Sequence, residues 1–169
     1  NMENKKDSGE AIRKNCEEGI LRSVYEGCKD GKINGNFGMH QSALATAAVA
    51  LDNMPETGEW IDWIMQAGGR VSYTEYSGGN VLPQLINVID RDGHGTESAP
   101  GYNALWLSDT IKIAEILYGY ETYPSADLYQ NPKFINMFSA ALPLTVCGKT
   151  TPAIGDRWNS NARQRHGYQ

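Results

Sequence analysis

What the chain lacks narrows its function first. No apolar run reaches membrane-spanning length, so no transmembrane helix is expected. Basic residues are not in excess: 15 Lys and Arg stand against 20 Asp and Glu, a net charge of −5. That balance argues against nucleic acid and against an anionic membrane surface as partners. A polyanionic substrate stays compatible, because a local basic cleft can exist on an acidic protein. Cys16, Cys28 and Cys147 are odd in number. Cys16 and Cys28 share one helical stretch, too far apart along it to pair, and no CxxC spacing suggests zinc. His40, His94 and His166 are separated, with no cysteine or carboxylate at ligand spacing around them, so neither a catalytic metal nor another cofactor is expected. Period-2 alternation is nearly absent, which leaves little room for β-sheet. There is no signal peptide, and the chain opens at Asn1 and not at a methionine. A mature chain or a piece of a longer protein is the expectation.

What is present is one helical segment spanning 1–169. Its length and 40% hydrophobic content allow a real core. Ser8 is placed to cap a first helix, along which Ile12, Cys16, Ile20 and Val24 recur every fourth residue. Asp30-Gly31 ends it, and Asn34 to Gly38 form a polar turn. Met39 to Leu51 make an Ala-rich helix that neighbours can approach closely. Past Pro55, residues 56–67 resume the helical pattern up to Gly68-Gly69. Residues 70–79 read as a loop, with room for a short strand. Val81 to Ile89 read as a helix with Pro83 in its first turn. Tyr102 to Leu117 form the longest apolar helix, and Pro132 to Leu142 a further one. Trp60, Trp63 and Trp106 sit at helical spacing and read as core.

The connectors are longer and more polar than a helical bundle needs, and long connectors are usually functional. Asp92-Gly93-His94-Gly95-Thr96-Glu97-Ser98-Ala99-Pro100-Gly101-Tyr102-Asn103 is one; Asn34-Gly35-Asn36-Phe37-Gly38-Met39-His40-Gln41 is another of the same character. In both, polar side chains fall where a helix starts after a Gly-rich turn. Antiparallel helical hairpins would bring both loops to one rim.

These residues carry a resemblance. Asn36-Phe37-Gly38-Met39-His40-Gln41 ahead of the Ala-rich helix resembles the Asn-containing motif of the heparinase II/III and alginate lyase superfamily. Asp92-Gly93, then Glu97, then Tyr102-Asn103 resembles its "DG…E…Y" segment. Pro152-Ala153-Ile154-Gly155-Asp156 is similar to its "P-x-I-G-D" segment. The order and rough spacing match from Asn34 to Asp156. The resemblance implies an all-α fold in which helical hairpins form part of an incomplete (α/α) toroid. The rest of the toroid and a β-sandwich domain would come from the same protein, secreted or periplasmic. It also implies β-elimination on an acidic, uronic-acid polysaccharide.

The residue types suit that chemistry. The reaction removes the proton alpha to the C6 carboxylate and expels the O4 substituent. A donor must neutralise the carboxylate, and a base and an acid must lie within hydrogen-bond reach. By resemblance, Asn36 matches the neutralising Asn and Tyr102 the catalytic Tyr. An unperturbed Tyr titrates near 10, so it suits the acid for O4, and the base only in a perturbing environment. His40, one turn beyond Asn36, is placed to bind the carboxylate or act as base. Tyr73 and Tyr76, on a glycine-flanked loop, suit stacking on a sugar ring. Arg70 offers a bidentate contact to a carboxylate, and Gln41, Glu97 and Asn103 offer further polar contacts. Glu97 also reads as a helix cap, His94 as solvated loop, and Asp156 as an acid tying down its loop. Two other readings remain open. An inverting glycoside hydrolase would draw two carboxylates, about 6.5–9.5 Å apart, from Asp92, Glu97 and Asp156. A non-catalytic glycan-binding or structural helical segment is the third.

Overall fold

The computed structural model describes residues 8–66, 71–72, 75–77, 79–97 and 99–155. The chain is mostly helical, as expected. The first helix begins where Ser8 caps it, its Oγ accepting from Ala11 N. It runs as α1 (Gly9–Cys16), a π-helical turn (Glu17–Arg22) and α2 (Ser23–Lys29). Arg22 in the π turn donates from Nε and Nη2 to Glu56, at 2.8 and 2.7 Å. That bond holds the Glu56 carboxyl below its usual range.

Strand β1 (Asn34–Gly35) precedes α3 (Met39–Leu51). Helix α3 carries the centre of the molecule: Leu44, Ala45, Ala47, Ala48 and Leu51 are buried, while Ala43 and Ala50 face solvent. Helix α4 (Glu56–Met65) folds back against it, with Thr57 Oγ1 donating to Ala48 O at 3.1 Å. Strands β2 (Val71–Ser72) and β3 (Glu75–Ser77) follow, then α5 (Val81–Asn87). The long α6 (Pro100–Leu117) begins two residues before the sequence pattern does, because Pro100 occupies its first turn. Helix α7 (Pro132–Met137) ends five residues short of the expected Leu142, the remainder continuing as turns.

Two findings were not foreseen. The polar turn at 34–38 contains β1, which pairs antiparallel with β3, giving a small sheet of order β1-β3-β2. Such short strands carry too few residues for any periodicity to betray them. Second, α3 and α6 run in the same direction. Phe37, just before α3, meets Trp106 edge-on at 5.6 Å. Gly38 lies against Asp109 and Thr110. At the other end, Tyr120 Oη, just past α6, donates to the α3 C-cap Asp52 at 2.6 Å. The helices therefore run parallel, with the start of α3 set against the third turn of α6.

The core joins the inward faces of α3, α4 and α6 with Phe134 and Met137 of α7. Trp60 and Trp106 are buried in it, and Trp63 packs at its edge. Tyr25 stacks on Trp60 at 4.7 Å and meets Trp63 edge-on. Cys28 is fully buried, and burial pushes its thiol up to about 11. No cysteine is paired, and among the described residues no helix is long and apolar enough to cross a membrane.

Candidate functional site

The N-terminal end of the α3–α6 pair collects the motif segments. The first is the turn before α3. Gly38 caps the helix at φ 90°, a left-handed conformation open to glycine. A Cβ there would stand 2.7 Å from Asp109 Cβ, so glycine is also what lets the turn press onto α6. Phe37 is fully buried against Trp106, which fixes the backbone beside it. Asn36 precedes this anchor and is half-buried; its carbonyl accepts from Met39 N at 3.1 Å.

The second segment is the loop from Asp90 to Ala99. Its described residues are tied down at several points. Asp90 N donates to His94 O at 2.7 Å, and Thr96 N to Val88 O at 3.0 Å. Gly93, at φ 85°, presses on the Asn136 carbonyl of α7, while Asn136 Nδ2 donates to Arg91 O. Gly95 lies flat on the Trp106 ring, where a Cβ would approach to 2.5 Å. Asn103 ties the loop to α6: its Oδ1 accepts from Gly95 N at 2.7 Å, and its Nδ2 donates to Glu97 O and Ala99 O. Glu97 does not cap α6, contrary to the sequence reading. The N-cap is Ala99, without a side-chain bond, and Glu97 contributes its backbone carbonyl to Asn103. Tyr102 stands half-buried in the first turn of α6, and its hydroxyl makes no hydrogen bond among the described residues.

The third segment arrives from the C-terminal side. Gly155, at φ 68°, packs on Ala99, whose Cβ lies 3.0 Å from where a Cβ on Gly155 would stand. Asp156 lies outside the described residues. Segments far apart in sequence thus pack along the first three turns of α6, Gly155 at Ala99, the Gly95 loop at Trp106, and the turn before α3 at Trp106, Asp109 and Thr110.

His40 and Gln41 point in different directions from the start of α3. The His40 ring packs over Gly35 of β1, where no Cβ is present, and its Nε2 is buried without a hydrogen-bond partner among the described residues. Gln41 is 1% exposed. Its Oε1 accepts from Gly38 N at 3.0 Å and its Nε2 donates to Gly79 O at 3.2 Å. The backbone of Tyr76 is paired with Gly35 in the sheet. Arg70 and Tyr73 lie outside the described residues.

Asn36 and His40 thus stand at the start of α3, and Tyr102 in the first turn of the parallel α6. It gives the amides of Gln41 and Asn103 to backbone partners. It also contains Asp109, which the sequence reading passed over. Asp109 is 3% exposed beneath Gly38, with Oδ1 bonded to Lys112 Nζ at 2.6 Å and Oδ2 buried without a partner among the described residues. An acid in the middle of the apolar run of α6, whose other acid, Glu115, falls in the last turn, was the available signal. Among the described residues no group of three or more His, Cys, Asp or Glu side chains is placed to hold a metal ion. Of the alternative carboxylates, Asp92 is exposed beside Arg91, at 3.7 Å. No family model matches the chain, and no curated protein or solved structure matches it either.

Proposed function

We propose that this chain belongs to a polysaccharide lyase that cleaves uronic-acid-containing polysaccharide by β-elimination. In this reading its helices form part of an (α/α) toroid, and the same protein contributes the rest of the toroid and a β-sandwich. The observation that carries the reading is the packing of the Asn36 turn, the Asp92–Asn103 loop and the Gly155 loop along the first three turns of α6. Parallel α3 and α6 support it, because parallel inner helices are what places successive loops on one rim of a toroid.

The chemistry follows from the groups left without hydrogen-bond partners there, the buried His40 Nε2 among them. Asn36 donates to the C6 carboxylate and stabilises the enolate-like charge. A base takes the C5 proton; His40 and Tyr102 are the two candidates in this segment. The electron pair forms the C4–C5 double bond as the C4–O4 bond breaks, and the Tyr102 hydroxyl supplies the proton that O4 takes up. A tyrosine already bonded to a carboxylate could not do this freely; Tyr102 has no such partner among the described residues. Secretion or a periplasmic location belongs to the same proposal.

The test is incubation with alginate, heparan sulfate, chondroitin and hyaluronan, following both near-ultraviolet absorbance and reducing ends. Elimination leaves an unsaturated uronate, so both signals rise together. Reducing ends without new absorbance would replace the lyase by a hydrolase, and binding without either signal by a glycan-binding segment.

A further inference from the structure

We infer that Gln41 is a positioning residue that fixes the distance between the carboxylate-binding turn and the β2–β3 hairpin; this rests on the lyase reading above. Gln41 is the only side chain that the described hydrogen bonds show joining the two. Its carbonyl oxygen holds Gly38 N, in the turn that carries Asn36. Its amide nitrogen holds Gly79 O, where the chain leaves β3 for α5. At 1% exposure it cannot reach a polysaccharide itself.

The surroundings explain why the tie is needed. Gly38 is pinned from behind by Asp109 and Thr110 of α6, so the turn is fixed to the helices. Among the described residues, strand pairing holds the hairpin through the short β1–β3 ladder, Asn34 against Ser77 and Gly35 against Tyr76. Two residue pairs make a weak ladder. The same ladder passes under His40, whose ring rests on Gly35. A slip of the hairpin would therefore move a sugar-stacking candidate, Tyr76, relative to Asn36 and disturb the seat of His40. Gln41 is the second, independent attachment that prevents it. In function it sets subsite spacing, so its loss weakens binding of the sugar chain before it harms the proton transfers.

The test separates the two bonds. Gln41→Met removes both. Gln41→Glu keeps an acceptor for Gly38 N; its second oxygen can donate to Gly79 O only while protonated. When ionised, that oxygen faces a carbonyl and repels it. The ratio of variant to wild-type KM on uronate oligosaccharide is therefore expected to stay near one at low pH for Gln41→Glu. It should rise about five- to tenfold as the buried carboxyl ionises, with kcat changed much less. Gln41→Met is expected to raise KM by a similar factor at every pH. Circular dichroism across the same range keeps unfolding distinct from loss of binding, and the low-pH Gln41→Glu protein is the folded control. A Gln41→Glu protein whose KM ratio is flat with pH, or whose kcat falls while KM holds, overturns the inference and leaves the lyase reading standing. A wild-type protein that neither binds nor cleaves uronate oligosaccharide overturns both.

Discussion

The two ends of the α3–α6 pair use the same residue types to opposite effect. At the C-terminal end, tyrosine hydroxyls are matched with carboxylates: Tyr120 with Asp52, Tyr123 with Asp62, and Tyr129 with Glu115. Burial, and then the bond to Asp52, push the Tyr120 hydroxyl above its usual range. Its proton is held in place. At the N-terminal end, Tyr102 has no such bond and the buried Nε2 of His40 has no partner among the described residues. Polar groups at that end are satisfied only where they build the loops, as with Gln41 and Asn103. One end closes the hairpins together. The other leaves groups suited to proton transfer without hydrogen bonds among the described residues, and a buried group such as His40 Nε2 left without a bond is unusual enough to need an explanation.

The largest test of that contrast is Tyr102→Phe. The ring still packs in the first turn of α6, so folding is expected to survive. Turnover of uronate polysaccharide should fall by about 10²–10⁴-fold, mainly in kcat. Steady-state formation of the unsaturated product measures it. A near-normal kcat would remove Tyr102 as the proton carrier and erase the functional difference between the ends.

Phe37→Ala tests the anchor and not the chemistry. Phe37 is fully buried and edge-on to Trp106. Truncation should cost about 3–5 kcal/mol of stability, seen as a lower denaturant midpoint, and should loosen the Asn36 turn. A cost below 1 kcal/mol, by the same scale, would mean that the turn is not held by this contact.

Tyr120→Phe is the smallest perturbation and sharpens the comparison from the other side. It removes the bond to Asp52 while keeping the ring. Because Asp52 is exposed, the expected loss is only about 0.5 kcal/mol, read as a small drop in melting temperature, with kcat unchanged. A large loss of activity would show that the C-terminal end takes part in function after all.

Local chemistry made much of this architecture legible. The bounds of α3, Met39–Leu51, follow from apolar spacing between a glycine turn and a polar break, both properties of adjacent residues. Ser8 capped its helix as read, and the tryptophans at helical spacing entered the core or packed on it. The loops that form the candidate site were visible as glycine-rich polar stretches before apolar helices. What stayed hidden depends on partners distant in the chain. Gln41 looked like a substrate contact because nothing nearby in sequence claims its amide nitrogen; Gly79 claims it only once the chain after β3 has folded back. Glu97 looked like a cap because its position allows one, but Asn103 takes its carbonyl and Ala99 occupies the cap. Strand β1 is too short to leave a periodic trace and exists only through β3. Most helices and polar loops were legible in the sequence alone, because propensity and hydrophobic period act over a few residues; β1 and the early end of α7 were not. The shared direction of α3 and α6, and with it which polar groups are tied and which stay open, was decided only by tertiary packing, because a polar side chain's role depends on which distant backbone reaches it first.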